Sequence, residues 1–355
     1  MLDGLDDDSS LFDDDDLLNE PSNDLPSKES EPNVPISGIV QTYFLELKER
    51  LSREIALHKM PLCYQQGHFW IRPIESYFSM CKALLSPDGL APYSLYQPTV
   101  FLWLPHLLLD DTVLTCQNDG CRHKPLTVKG WNDKPIACRV VTLNGLYYVM
   151  TQRFHCDSQS DGCGKSMNLY DPVIMDQLPP GLSAAFPAFL THQSGMDKTL
   201  MTLIRAGIAY QMSSSVWSSV LCELHVQEHD LQELNYLHAL SVAKKQEQAL
   251  NVEGVRAYEP FSDFHDKNGY AGFYPSRWYI NTVYMDYMEH IHPFLDQCVS
   301  ALTGYVIKWD HSFKLPKFLM KLAGEITFAS LFTLLNEFEQ IRFQAFVPTK
   351  SLSHI

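Results

Sequence analysis

The chain has 355 residues, of which 45% are hydrophobic and 12% aromatic, enough to bury one large or two ordinary hydrophobic cores. No apolar run reaches the ~18–20 residues that a membrane span needs, and the acidic N-terminus excludes a secretory signal. The net charge of −15 argues against a nucleic-acid-binding protein. However, residues 1–32 carry −11 of it, because twelve acidic residues there face the single Lys28. The remaining chain is nearly balanced, so charge neither excludes nor supports DNA binding.

The first two segments differ sharply in composition. Residues 1–35 are rich in aspartate and proline, which predicts a disordered acidic tail, either a solvating segment or an interaction tail for basic partners. Residues 36–115 form a helical and irregular N-terminal region, in which helical periodicity over residues 36–60 predicts one clear helix. Nine cysteines without an export signal indicate a reducing compartment, the nucleus or the cytoplasm, and a protein that is not secreted.

Residues 116–194 predict a zinc-ribbon-like β module and its extension. Strands are expected at Leu126–Lys129, Arg139–Leu143 and Leu146–Phe154. Asn144-Gly145 lies between the last two, and this dipeptide favours a two-residue hairpin turn. The module begins and ends with paired cysteines, which the hairpin would bring together.

Four cysteines have the spacing of a metal site. Four residues separate Cys116 from Cys121, six separate Cys156 from Cys163, and 34 lie between the pairs. Four thiolates would hold a structural Zn²⁺, with turns eased by Gly120, Gly162 and Gly164, and would leave no open position for catalysis. These pairs are looser than two-residue spacing. His123 or His155 could therefore replace one thiolate, and unliganded buried cysteines are the alternative.

The last two segments are distinguished by the spacing of their apolar residues, which is helical in the first and strand-like in the second. Residues 195–300 read as a helical region: one helix with a stripe through Leu200 and Ile208, a second capped near Ser213, a third from Leu231 and another starting at Ser276. Residues 301–355 change to strands at Tyr305–Trp309, Ile326–Leu335 and Ile341–Val347, the last two joined by a turn at 336–340. The predicted fold class is α+β.

Two further patterns bear on catalysis. His225, Glu228 and His229 match the H-x-x-E-H pattern of a zinc hydrolase, although fourteen histidines make a chance match easy and a polar helix face is the alternative. Asp310 ends an apolar strand, where a carboxylate can hold Mg²⁺ for two-metal phosphoryl transfer; the alternative is a turn-initiating aspartate.

Residues from about 41 to 355 resemble a family of uncharacterised, transposase-like proteins abundant in fungi. That family has an N-terminal cysteine-paired zinc module followed by an RNase H-like domain. The residues that carry the resemblance are Phe101–Pro105, Cys116 and Cys121, Arg153–Cys156 with Cys163, Leu178–Pro180, Leu190–His192 with Ser194-Gly195, Asp310–Lys314, and Leu334–Glu337 through Phe346–Ser351.

The resemblance implies that residues 301–355 are the first three antiparallel strands of a truncated RNase H-like domain, with Asp310 as its first, vestigial catalytic acid. Further carboxylates would be needed for a two-metal site, so we expect no nuclease or transposase activity, and Mg²⁺ only in a complete domain. Two functions remain open: a DNA-binding module of mobile-element origin, or a non-catalytic zinc-stapled scaffold for protein partners. The cysteine module holds six basic and four acidic residues, which supports DNA only weakly.

Overall fold

A computed structural model describes residues 36, 38–84, 90–109, 113–118, 120–121, 124–158, 162–191, 194–249, 258–313 and 328–349. The predicted acidic tail, residues 1–35, and His123 lie outside the described residues. In chain order the helices are α1 Gly38–His58, α2 Leu62–Gln65, α3 Ser76–Leu84, α4 Pro172–Met175, α5 Pro180–Ala184, α6 Lys198–Ala209, α7 Ser214–Ala249 and α8 Arg277–Ser300. The strands are β1 Trp70–Ile71, β2 Thr99–Trp103, β3 Thr127–Trp131, β4 Cys138–Thr142, β5 Gly145–His155, β6 Ser166–Asn168, β7 Ala188–Leu190, β8 Ser194–Asp197, β9 Lys308–Ser312, β10 Ser330–Leu335 and β11 Ile341–Val347.

A mixed sheet forms the centre of the fold, which is α+β as predicted. Its strand order is β1-β2-β5-β4-β8-β7, with β2–β5 and β4–β8 parallel and the other neighbours antiparallel. The eleven-residue β5 is long enough for two sets of partners: its first half pairs with β2 and β4, and its last residues pair with β3 and β6. This strand therefore runs from the hydrophobic core into the cysteine region.

The core packs α1 against this sheet. Val40, Phe44, Leu47 and Leu51 recur at helical spacing and are all buried, which confirms the helix predicted in residues 36–60. Phe44 meets Tyr148 of β5 with ring centroids 4.9 Å apart. Strand β2 lies beside β5 within the sheet, on the side opposite β4, and all of its residues except Thr99 are buried.

The β4–β5 hairpin is confirmed, but its turn lies one residue earlier than predicted. Thr142 pairs with Gly145, so Leu143 and Asn144 form the two-residue turn. Gly145 has a φ of 148°, a backbone conformation that glycine adopts without steric cost, and it opens β5.

The helical region differs from the prediction in two places. Residues 194–197 form the strand β8 before α6 begins, and the second and third predicted helices are one continuous helix, α7. Ser213 caps that helix by accepting from the N–H of Val216. The leucine stripe that suggested a separate helix is exposed, at Leu231, Leu234 and Leu237, because α7 packs through the opposite face.

The C-terminal strands form a separate antiparallel sheet in the order β11-β10-β9. Helix α8 starts after the predicted cap, Ser276, which accepts from the N–H of Tyr279. The hairpin turn at 336–340 is confirmed, since Asn336 accepts from the N–H groups of Phe338 and Gln340. Among the described residues, no helix has the length and apolar character that a membrane crossing requires.

Candidate metal centre

The structure brings the four predicted cysteines together. The Sγ atoms of Cys116 and Cys163 lie 3.7 Å apart, those of Cys121 and Cys156 lie 3.8 Å apart, and all four lie within 4.8 Å of one another. A tetrahedral zinc with Zn–S bonds of about 2.3 Å has sulfur–sulfur edges of about 3.8 Å. A disulfide would need sulfurs about 2.05 Å apart. The spacing therefore fits four ligands around one ion and does not fit disulfides.

Two backbone turns position these sulfurs. At the first, the N–H of Cys116 donates to Lys124 O (2.8 Å) and the N–H of Cys121 donates to Asn118 O (2.8 Å). At the second, Cys156 directly follows β5, its N–H donates to Lys165 O (3.0 Å), and its carbonyl accepts from the N–H of Gly164 (2.9 Å). Each turn presents two thiols to the same point, and the pairing of β3 with β5 holds the two turns together.

Glycine is required at the second turn. Gly164 has a φ of 68°, in the left-handed region that favours glycine. A Cβ on Gly162 would lie 2.4 Å from Asp157 O and 2.6 Å from the Sγ of Cys156, so no larger residue fits beside this sulfur. At Gly120, by contrast, a Cβ would have open space, and its φ is not left-handed. The expected role of glycine in a sharp turn thus holds at position 164, whereas position 162 requires glycine because the backbone passes close to a sulfur, and position 120 does not require it.

The thiols have unequal acidity. The backbone N–H of Lys165 donates to Cys163 and lowers the pKa of that thiol to about 6, because the bond stabilises the thiolate. Burial raises the pKa of Cys121 to about 12 and raises the pKa of Cys116, where the N–H of Asn118 partly offsets it. A cation at the centre of the cluster would reverse the effect of burial, since it favours the deprotonated ligand.

The two histidine alternatives fare differently. His155 lies on β5, and its Nδ1 is 3.2 Å from both the hydroxyl and the carbonyl oxygen of Thr127. It therefore packs along the sheet and does not join the cysteine cluster. His123, the other alternative, is outside the described residues. Of the ligands predicted for the zinc module, the four cysteines are the set that the described residues bring together.

The residues of the H-x-x-E-H pattern form neither the two-histidine metal site that the pattern suggests nor the polar helix face that was the alternative. His225 is buried, with its ring nitrogens 2.7 Å from Phe273 O and 3.0 Å from Thr142 O. His229 is also buried, with Nε2 2.8 Å from Ser262 O and Nδ1 3.0 Å from the carboxylate of Asp230. Both rings join α7 to neighbouring segments, so their nitrogens are already engaged. They act as structural core histidines rather than as the two ligands of one ion.

Asp310 lies in the middle of β9 and not at a strand end as expected. It pairs with Thr333, is exposed, and its carboxylate accepts from the N–H of His311 (2.8 Å). The strand extends to Ser312 because all five of its residues pair with β10. No group of three or more metal-ligating side chains among the described residues includes Asp310.

A comparison with known proteins shows the family of the chain. Residues 82–265 match the family model described as a domain of unknown function (DUF6729). The match spans 184 residues, more than half of the chain, and includes all four cysteines, while Asp310 lies beyond it. No curated protein and no solved structure is significantly similar to the chain. The chain belongs to the DUF6729 family.

Proposed function

We propose that the chain is a non-catalytic binding module of a transposase-like protein, held in shape by one structural Zn²⁺ on Cys116, Cys121, Cys156 and Cys163. The observation that carries this proposal is the 3.7 Å and 3.8 Å spacing of the sulfur pairs. Four thiolates complete a tetrahedron and leave no position for water or substrate. Zinc here serves folding and not turnover. Thiolate ligation also fits a reducing compartment, which supports the nucleus or the cytoplasm.

The strands around the cluster show why a structural Zn²⁺ would stabilise this region. The antiparallel set β3, β5 and β6 resembles a zinc ribbon, with one cysteine turn before β3 and one between β5 and β6. β6 has three residues and β3 is mostly exposed, so little apolar area is buried there. A structural zinc contributes on the order of ten kcal/mol to folding in such small modules.

An RNase H-like origin of the C-terminal sheet remains part of the proposal. Its support is the antiparallel order of β9, β10 and β11 together with the resemblance noted in the sequence. Two-metal phosphoryl transfer needs several carboxylates around a pair of ions. Asp310 alone does not supply them, so we propose that this chain neither cleaves nor joins DNA and holds no resident Mg²⁺.

DNA is the partner that the transposase-like resemblance favours. The charge permits it, since most of the net −15 belongs to residues 1–32. Fluorescence anisotropy with a labelled 30-base-pair duplex in low salt tests the proposal. We expect roughly micromolar binding that weakens steeply with added salt.

A pair of charge reversals makes that test specific. Lys129→Glu changes an exposed residue on β3 of the zinc module, and Lys244→Glu changes an exposed residue near the end of α7. If the zinc module contacts DNA, only the first should weaken binding. Absence of binding at micromolar protein would reject DNA and favour the alternative, a zinc-stapled scaffold for protein partners.

A further inference from the structure

His225 of α7 is buried between two backbone carbonyls. Its Nδ1 lies 2.7 Å from Phe273 O and its Nε2 lies 3.0 Å from Thr142 O. A carbonyl oxygen can only accept a hydrogen bond, whereas a neutral imidazole has one N–H group and one bare nitrogen. A neutral ring would therefore hold a bare nitrogen against a carbonyl oxygen. The doubly protonated, positively charged ring makes both hydrogen bonds.

His229, one helical turn further along α7, has the same kind of partners. Its Nε2 lies 2.8 Å from Ser262 O, and its Nδ1 lies 3.0 Å from the carboxylate of Asp230. A carboxylate oxygen of Glu233 is within 4.8 Å of the ring nitrogen, and the His229 side chain is only 6% exposed. Both nitrogens again face acceptors, and the two carboxylates favour a positive charge on the ring.

The charges on neighbouring elements act in both directions. Glu228 of α7 lines the same small cavity as His225 and favours a positive ring. Arg139 of β4 opposes it, because its guanidinium lies 3.8 Å from the centre of the Phe273 ring. The ring of Tyr270 lies 4.7 Å from that of His229, and burial together with Glu228 raises the pKa of this phenol, which keeps it neutral.

The other titratable groups on the packed elements carry no opposing charge at the rings. Tyr148 of β5 lines the cavity beside His225, and the hydroxyl of Tyr96 accepts from the N–H of Ser262. Both are phenols, which are uncharged near neutral pH. The charged side chains and the histidine of the segment that follows α7 are exposed: Glu259, Asp263, His265, Asp266 and Lys267.

The two histidines attach one connection to the rest of the fold. Residues 258–276, the described part of the link between α7 and α8, contain neither helix nor strand. Ser262 and Phe273 belong to this connection, and Thr142 ends β4 of the central sheet. His225 therefore joins α7 to the connection and to the sheet, and His229 joins α7 to the connection a second time. Each attachment is complete when its ring carries both protons.

We propose that His225 and His229 form a pH-sensitive switch, which holds residues 258–276 on α7 while both rings are doubly protonated and loosens them as each ring loses a proton. The folded chain then binds more protons at these rings than the unfolded chain does. Their contribution to stability is full below about pH 6.5, the ordinary value for histidine, and is lost as the pH rises through the range in which the folded rings deprotonate. The zinc thiols respond in the opposite direction, because acid weakens their binding of metal.

Nuclear magnetic resonance of the full chain labelled with ¹⁵N-histidine tests the proposal directly. Long-range ¹H–¹⁵N spectra show whether each ring nitrogen carries a proton, and His225→Gln and His229→Gln assign the two signals. His238, exposed on the same helix, is the internal reference. We expect both buried rings to carry two protons at pH 6 and to keep them to a higher pH than His238. A buried ring with a bare nitrogen at pH 6, or one that titrates together with His238, would overturn the proposal.

Urea unfolding at pH 6 and at pH 8.5 tests the effect on stability. His225→Gln and His229→Gln should each lower the folding equilibrium constant by about tenfold more at pH 6 than at pH 8.5, since the charged hydrogen bonds are lost. His238→Gln is the matched control and should have the same small effect at both pH values. Each variant is compared with the parent at one pH, so the effect of zinc ligation cancels. A loss of equal size at both pH values would reject the switch, and the spectra of the parent chain decide if a variant does not fold.

Discussion

Replacing Gly162 by alanine tests the cysteine cluster through its packing, with all four ligands left in place. The new Cβ would lie 2.6 Å from the Sγ of Cys156 and 2.4 Å from Asp157 O. Non-bonded carbon contacts are normally about 3.5–4.0 Å, so the overlap with sulfur is about 1 Å. Metal–ligand distances tolerate only about 0.2 Å. Cys156 or the whole turn must therefore move, and we expect zinc affinity to fall by about 10- to 100-fold, as it does when groups that orient ligands are disturbed.

Gly120→Ala is the matched control. It also adds one methyl group beside a cluster cysteine, but nothing lies within 4 Å of that methyl. Competition with a chromophoric chelator measures zinc affinity, and thermal unfolding followed by circular dichroism measures stability. We expect Gly162→Ala to lose affinity and to unfold at lower temperature, with Gly120→Ala close to the parent. If the two variants bind zinc within about twofold of each other, the packing of this turn does not control the site.

Three further outcomes are expected. Cys116→Ser should abolish stoichiometric zinc in elemental analysis, whereas His225→Ala should keep it and lower the unfolding free energy by roughly 2–4 kcal/mol, since a buried hydrogen-bonded ring is lost. Zinc binding at pH 7.5 should release about two or more protons, because the raised pKa values keep Cys116 and Cys121 protonated; calorimetry in buffers of different ionisation enthalpy counts them. Lowering the pH should therefore weaken zinc binding. Gly207→Ala should cost about 1–3 kcal/mol in denaturant unfolding, because its Cβ would lie 2.5 Å from the buried Trp217 ring.

The metal site could be predicted because the spacing of the cysteine pairs along the chain is typical of a zinc site. Two cysteine pairs flanking a hairpin can meet only if the strands between them pair, and the sequence around Asn144 favours that pairing. The glycines beside Cys163 were a usable signal for a tight turn, although only the structure shows that Gly162 approaches a sulfur.

The predictions from sequence were wrong where contacts between distant segments of the chain determine the structure. The exposed stripe at Leu231 and Leu234 has helical spacing like a buried one, so periodicity alone could not tell which face of α7 packs. His225 and His229 have metal-ligand spacing, but carbonyls distant in the chain occupy their nitrogens.

Elemental analysis of the purified, reduced full chain is the most direct test of the structural zinc on the four cysteines. The protein is expressed with zinc and iron both supplied, freed of loose metal by gel filtration, and measured for metal and free thiols. We expect one zinc per chain and a fall in melting temperature when a chelator removes it. A chain with nine free thiols that binds no zinc, or that keeps its melting temperature after zinc is removed, would contradict it.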